Sequence, residues 1–390
     1  MGYMSEYIKR RLSATDLESE LLKLISQYNK LMETFTIVYV SAIGKPIPDV
    51  ALGADDYYLI HDLIRDIDST SVTLYLETPG GRAEAAEEIV KCLRSRFEHV
   101  SFVISGEAKS AGTIMVLSAD EILMTETGSL GPIDAQVKIG RSVVSAYDYV
   151  EWVDGKREEA EKTGKLNPFD ATVIAQISPG EISGVYHALK YAEDLVVDWL
   201  VRYKFRHWVT TQTHKRTVTP EMKQSTAEAI AKELLNHSKW RTHGRSIKIG
   251  DLEGIGLRVV KVEDNPKLCE LVYRIQTVCR LLFTSTTTYK IFATEREKVF
   301  KQAILAPKGT PIPAKSANVA NLDIDCPKCG KSHKIYAKLV DDPKIDVDLR
   351  KKGRVAYPKD NSLKCSCGFV IDLTGLRNEI ETKTGKKIVT

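Results

Sequence analysis

No stretch of this 390-residue chain approaches the roughly 18 uncharged apolar residues that an α-helix needs to cross a bilayer. The strongest apolar runs, around residues 114–117 and 143–144, are far shorter. The opening MGYMSEYIKRRLSATDLESELL lacks the apolar core and small-residue cleavage site of a secretory signal. Glu6 stands where an acylation motif beginning at Gly2 would need serine or threonine. A cytoplasmic location is the expectation. The sequence also lacks the GxSxG elbow of ordinary α/β-hydrolases. It has no large charge of one sign either: the net value is +4 with 28% charged residues, which gives little support to a nucleic-acid partner.

What charge there is lies unevenly. Residues 201–250 hold eleven Lys or Arg against three Asp or Glu, among them Lys215, Arg216, Arg241 and Arg245. A solvated helix face accounts for such a stretch, and so does a landing surface for an acidic protein or a nucleic acid.

Patterning points to an α/β protein. Residues 16–32 have the apolar spacing of an amphipathic helix, and 35–40 reads as a β-branched strand. Helical periodicity follows over 56–67. Strands are expected at 71–76, 100–105 and 121–124, with helices at 83–97 and 108–119. Short connections between alternating strands and helices imply a mostly parallel sheet covered by helices. Further helices are expected over 182–208, 221–236 and 265–284, with Thr219 and Pro220 as cap and first helical residue of the second. Residues 287–294 read as a strand, and the proline-rich stretch 305–320 as a linker.

Two short segments carry the chemistry. A strand ending in Thr78-Pro79-Gly80-Gly81 delivers two glycines that can bring bare N–H groups close to a ligand. Ser110, among Ala108, Ala111 and Gly112, follows a strand and opens a helix, where unpaired N–H groups can face developing negative charge. Acyl transfer needs that pairing beside a base.

ETPGG at 77–81, GEAKSAGT at 106–113, SADEILM at 118–124 and GSLGPIDAQ at 128–136 together resemble the ClpP/crotonase superfamily. The signal-peptide-peptidase-A-like branch is the nearest match, and within it the serine dehydrogenase proteinases. HGRSIKIGDLEGIGLRV at 243–259 is similar to a late element of that branch. The resemblance implies an α/β fold, a ClpP/crotonase-like core of repeated β-β-α units, over 34–262. It implies Ser110 as nucleophile, Gly81 and Ala111 as oxyanion-hole donors, and Gly80 shaping a substrate-binding turn. It further implies a polypeptide substrate bound by strand addition and a homo-oligomer. The crotonase side of the superfamily implies acyl-CoA chemistry instead, and a chain without a working base would be an assembly module. No pyridoxal phosphate site is recognisable for the deaminase activity in the family name.

The base is the open point. Asp134 stands where the ClpP-like pattern would carry histidine, and a carboxylate titrating near 4 barely attracts a serine proton at neutral pH. The resemblance to the peptidase-A-like branch implies lysine. Lys165, in KLNPF, is the choice, with Lys156, Lys162, Lys190 and His187 in reserve.

Four of the seven cysteines form two tight pairs, Cys326 with Cys329 and Cys365 with Cys367, each followed by glycine. Two such pairs can supply four thiolates to one structural Zn2+, in a C-terminal zinc-ribbon-like domain. The second pair is a residue shorter than the usual knuckle, which leaves His333 as a substitute ligand. The expected organisation is a helical arm over 1–33, the protease-like domain over 34–262, a helix, strand and linker over 263–320, and the metal domain over 321–390.

Overall fold

The computed structural model describes residues 2–45, 47–133, 136–139, 142–211, 215–242, 244–303 and 318–389. Two compact units form. The larger comprises Leu22–Gln276 and Phe292–Val299, the smaller Met1–Leu21, Thr277–Ile291 and Phe300–Thr390. The expected linker falls largely on 304–317, and Asp134 also lies outside the described residues.

The larger unit is built on parallel strands. β1 (Phe35–Ser41), β2 (Ser71–Glu77) and β3 (His99–Ile104) pair side by side, with Phe35 opposite Val72 and Ser71 opposite His99. Two short strands follow, β4 (Glu107–Ala108) and β5 (Glu121–Met124), and β5 joins β3 with Ser101 opposite Glu121. After β6 (Ser129–Leu130) and a hairpin of β7 (Gln136–Ile139) and β8 (Ser142–Ser145), β9 (Val260–Lys261) pairs with β5. The continuous burial of β1 follows from its sequence, FTIVYVS, which has no polar face to offer water. Ile37, Leu74, Phe102 and Ile122 lie in the resulting core. Each such side chain contributes about 1.5–3 kcal/mol of transfer free energy.

Helices cover the sheet largely where periodicity places them: Ala54–Leu63, Ala83–Arg96 and Pro220–Leu235. The last begins as read, since the Thr219 side chain accepts from Met222 N–H and Pro220 occupies the first turn. Two expectations shift. The helix placed at 108–119 starts instead at Ala111 and runs to Leu117, because Ala108 is drawn into strand pairing. The helix placed at 182–208 runs from Pro179 to Trp199 and then widens into a π turn over Leu200–Lys204. Between the hairpin and that helix lie Ala146–Thr163 and Pro168–Ile174, helices with a small apolar cluster of their own around Ala146, Tyr149 and Val185.

One buried ion pair locks the helices to the sheet. Arg94 reaches Asp120 at 2.7 Å, both side chains almost fully enclosed, and Arg94 lies over the Tyr203 ring at 4.1 Å. Asp120 also accepts the Val100 N–H at 2.9 Å, fixing the start of β3. Removing Arg94 leaves the enclosed Asp120 with Arg206, at 3.0 Å, in place of two guanidinium partners. Arg94→Met is expected to lower unfolding free energy by about 3–5 kcal/mol, read as a reduced urea midpoint.

In the smaller unit, strands Val319–Asp325 and Ser332–Lys338 pair antiparallel, and Val355–Ala356 adds in parallel. A separate hairpin joins Ser362–Lys364 to Val370–Asp372.

Candidate active site

Beside the main sheet runs a narrow second ladder, which draws together the segments that carry Gly80 and Ser110. Thr78 bridges Ala108, β4 pairs with β6, and Leu130 bridges Ile247. Its rungs are short and direct: Thr78 N–H to Glu107 O at 2.8 Å, Lys109 N–H to Thr78 O at 3.1 Å, and Ser129 N–H to Gly106 O at 2.8 Å. Four segments far apart in sequence are thus pinned across the carboxyl ends of β2 and β3. Thr113 Oγ1 stitches the same layer, with Ala108 O and Gly131 O both 2.9 Å away as acceptors for its single proton, and it accepts from Gly131 N–H at 3.0 Å.

The glycines are where contact is closest. A Cβ at Gly80, whose φ is +97°, would fall 2.8 Å from Ser110 Cβ and 2.7 Å from Lys109 O. Gly81, at φ +155°, has the Leu52 backbone against it, with Leu52 N–H donating to Gly80 O at 2.8 Å and Arg82 N–H to Leu52 O at 3.0 Å. The Gly80-Gly81 turn and Ser110 are therefore neighbours. Among the described residues, the N–H groups of Gly81 and Ala111 donate to no backbone carbonyl in these turns.

Ser110 stands immediately before the helix Ala111–Leu117 rather than inside its first turn, yet its hydroxyl does not cap that helix. Its backbone lies at φ +51°, ψ −116°, a region costly for an L residue by about 1–3 kcal/mol. The ladder holds it there. Glycine at this position removes the steric conflict, whereas alanine keeps it. Ser110→Gly is expected to exceed Ser110→Ala in stability by about 1 kcal/mol, measured by urea unfolding; equal midpoints would refute the strain.

Lysines that sequence reading passed over tie the layer together. Lys109, only 5% exposed, sends its amine to Arg245 O at 3.1 Å, Ser246 Oγ at 3.0 Å and Leu130 O at 3.4 Å. Burial lowers its pKa, partly offset by Glu107. With its three protons directed to fixed acceptors, it is a tether and not a base. Lys248 mirrors it, donating to Thr127 O and Gly128 O at 2.9 Å and to Glu126 O at 3.3 Å. No local motif marks Lys109, because two of its three partners, Arg245 and Ser246, lie more than a hundred residues away. Lys109→Met keeps the stem that packs on Gly131 but loses the tether. It should slow acylation of Ser110 by a fluorophosphonate at least tenfold, with helix content by circular dichroism retained.

The candidate bases are differently placed. Lys156 pairs with Glu159 and Asp170, both at 2.9 Å, and Lys190 with Asp194 at 3.0 Å and Glu193 at 3.2 Å. Hydrogen bonding to Asp170 raises the pKa of Lys156, and that to Asp194 raises the pKa of Lys190. Lys162 pairs with Glu158 at 3.1 Å. Lys165 and His187 are exposed. Lys165 follows the helix Ala146–Thr163, and among the described residues its amine makes no ion pair. No hydrogen bond joins any of the five to Ser110 among the described residues.

Much of the basic stretch 201–250 is engaged within the fold. Arg206 pairs with Asp120 at 3.0 Å, Arg202 with Asp198 at 2.9 Å, and Lys239 with Glu233.

The smaller unit gathers the four cysteines. Their sulfurs lie within 4.8 Å of one another, with Cys326 to Cys367 and Cys329 to Cys365 both at 3.6 Å. Tetrahedral thiolates about 2.3 Å from a zinc ion would sit about 3.8 Å apart, so the cluster fits one ion. Gly330 at φ +72° and Gly368 at φ +84° make the tight turns, donating to Cys326 O and Cys365 O. The Cys367 backbone N–H favours the Cys365 thiolate and lowers its pKa. The short second pair is accommodated, and His333 is not in the group.

Residues 40–178 match the family model of ClpP-like SDH-type serine proteinases. That segment contains Gly80, Gly81, Ser110 and Ala111. Two uncharacterized proteins of Methanocaldococcus jannaschii are similar to parts of the chain. MJ0137 is 38% identical over 66 residues, 17% of this chain and 23% of its own length. MJ1495 is 30% identical over 95 residues, 24% of this chain and 32% of its own. The chain thus spans less than a third of either relative. Solved structures include a mutant 1510-N membrane-bound stomatin-specific protease, with 14% identity, a TM-score of 0.34, and coverage of 57% of this chain and 79% of that one. A mutant ClpP1 from Listeria monocytogenes has 17% identity and a TM-score of 0.22, covering 35% and 77%. Among the described residues of the proteinase-like chain, no helix is long and apolar enough to cross a membrane.

Proposed function

We propose that this chain is a serine peptidase that cleaves peptide bonds through an acyl-enzyme on Ser110. One observation carries the reading: a strained serine whose hydroxyl caps nothing lies against a glycine turn, with undonated N–H groups at Gly81 and Ala111. Ser110 Oγ attacks the carbonyl carbon, and the oxygen of the tetrahedral intermediate is stabilised by those two donors. Gly80 leaves room for extended substrate backbone beside the turn. The amine of the departing peptide takes a proton, and water then releases the acyl group from the serine.

Lys165 is proposed as the proton carrier. Of the four lysines in contention it alone pairs with no carboxylate among the described residues. Its amine must lose the surrounding water to become basic near neutrality, which closure over substrate or assembly into a homo-oligomer would provide. A fluorophosphonate probe should label the wild-type chain and leave Ser110→Ala unlabelled. Lys165→Met should cut labelling at pH 7.5 by at least a hundredfold. Wild-type protein that is folded and unlabelled would overturn the nucleophile. Undiminished labelling of Lys165→Met would overturn the dyad alone.

The cysteine cluster is proposed to hold a structural Zn2+ in a zinc-ribbon-like domain. The ion would link the knuckle before Ser332–Lys338 to the hairpin before Val370–Asp372, supplying fold energy that a small core lacks. Metal analysis should find one zinc per chain, lost in Cys329→Ser and Cys367→Ser. Protein purified with zinc supplied and still free of metal would overturn the assignment.

A further inference from the structure

At the end of the sheet opposite Ser110, beside the start of β5, the larger unit has a cleft of about 1080 Å³. Its floor is Lys204, the last residue of the π turn that ends the helix Pro179–Trp199. Wide turns of this kind recur where a helix presents a side chain to a ligand. The Lys204 amine donates to Asp120 O at 3.2 Å and, among the described residues, has no ion pair. Arg258 also lines the cleft and has none.

Most of the neighbouring carboxylates are already committed. Asp120 serves Arg94 and Arg206, at 2.7 and 3.0 Å. Glu253 faces Lys261 at 3.5 Å, whereas Glu121, 4.0 Å from a histidine that is charged only when protonated, stays a half-exposed carboxylate at the edge of the cleft. Lys204 and Arg258 are thus the two cations of the lining without an ion pair among the described residues, with Glu121 the one carboxylate opposing them. The walls are apolar: Phe205 and Trp208 pack with ring centroids 5.4 Å apart, and Leu257 lies beside them. At the rim Val209 is 68% exposed and Val260 41%. Apolar walls with a few convergent polar groups are the usual composition of a small-ligand site.

We propose that this cleft binds a carboxylate carried on an apolar or aromatic body, with Lys204 and Arg258 holding the carboxylate and Trp208 and Phe205 the body. The charge-assisted hydrogen bonds would complete an amine that the fold leaves with a single acceptor. A free carboxylic acid and the C-terminus of an apolar peptide share this chemistry. The site is independent of the serine reading and would survive its failure.

Titration supplies a second signature. Burial pushes the Lys204 amine down to about 8, against opposing pulls from Glu121 and Asp120 and a reinforcing one from Arg258. His207 and Glu253 line the same space. A bound carboxylate favours the ammonium form, so the amine's pKa rises on binding. The complex must then take up protons between about pH 8 and the raised value, and little at pH 6.5.

Calorimetry on the full chain tests this with 4-phenylbutyrate, acetyl-Ala-Leu-Phe with a free carboxylate, and the same tripeptide amidated. At least one acid should bind, with proton uptake at pH 8.5 revealed by buffers of different ionisation enthalpy. Lys204→Met and the exposed Arg258→Ala should each weaken it at least tenfold. Binding of the tripeptide acid alone identifies a peptide terminus; binding of phenylbutyrate as well identifies a general carboxylate site. Should Lys204→Met fail to fold, Arg258→Ala and the amide carry the test. The proposal is overturned if neither acid binds at millimolar concentration, if the amide binds as tightly as the acid, or if the folded variants bind like wild type.

Discussion

The ladder of backbone hydrogen bonds from Thr78 through Ala108 and Leu130 to Ile247 is the constraint on which the site depends. The main sheet can form from the apolar content of its strands alone. It does not dictate where the chain goes on leaving their carboxyl ends. The ladder does, and it brings together segments separated by up to about 170 residues. Because its rungs are main-chain groups, side-chain substitutions act on it chiefly through bulk, as at Gly80 and Gly112, or through the lysine tethers. Gly112 illustrates the tolerance: a Cβ there would meet Thr78 Cγ2 at 2.5 Å.

Lys109 and Lys248 make the layer less free to breathe. Each satisfies several acceptors that strand pairing leaves over, and each joins the segment around 126–131 to that around 245–248. A neutral side chain would leave these acceptors without a fixed donor. The charge in this basic part of the chain is thus tied to internal architecture. Lys215, Arg216, Arg241 and Arg245 of the same stretch are by contrast exposed.

Much of the core was legible beforehand. Strands such as FTIVYVS announce themselves by composition, and Thr219-Pro220 by capping chemistry. The Gly80-Gly81 turn and Ser110 were legible because glycine and small residues have few other reasons to cluster there. The cysteine pairs were legible by spacing. What periodicity could not show was competition from distant segments: Ala108 has the helical environment of its neighbours but is taken by Thr78 and Leu130. The π turn at Leu200–Lys204 was hidden for a similar reason, since the local sequence VRYKF fits an ordinary helix equally well. The helices over 146–174 gave little signal because their faces are mostly polar.

The left-handed backbone at Ser110 also bears on how this chain can change over generations. Most point substitutions destabilise, but here the chemically blank replacement, glycine, is the conformationally easier one. A lineage no longer selected for chemistry would gain stability by replacing its serine with glycine. A chain that retains serine in that geometry keeps a residue that folding by itself disfavours. On the proposed role of Ser110, that disfavoured backbone is the cost of holding a nucleophile there, a cost that the well-packed positions of the core do not carry.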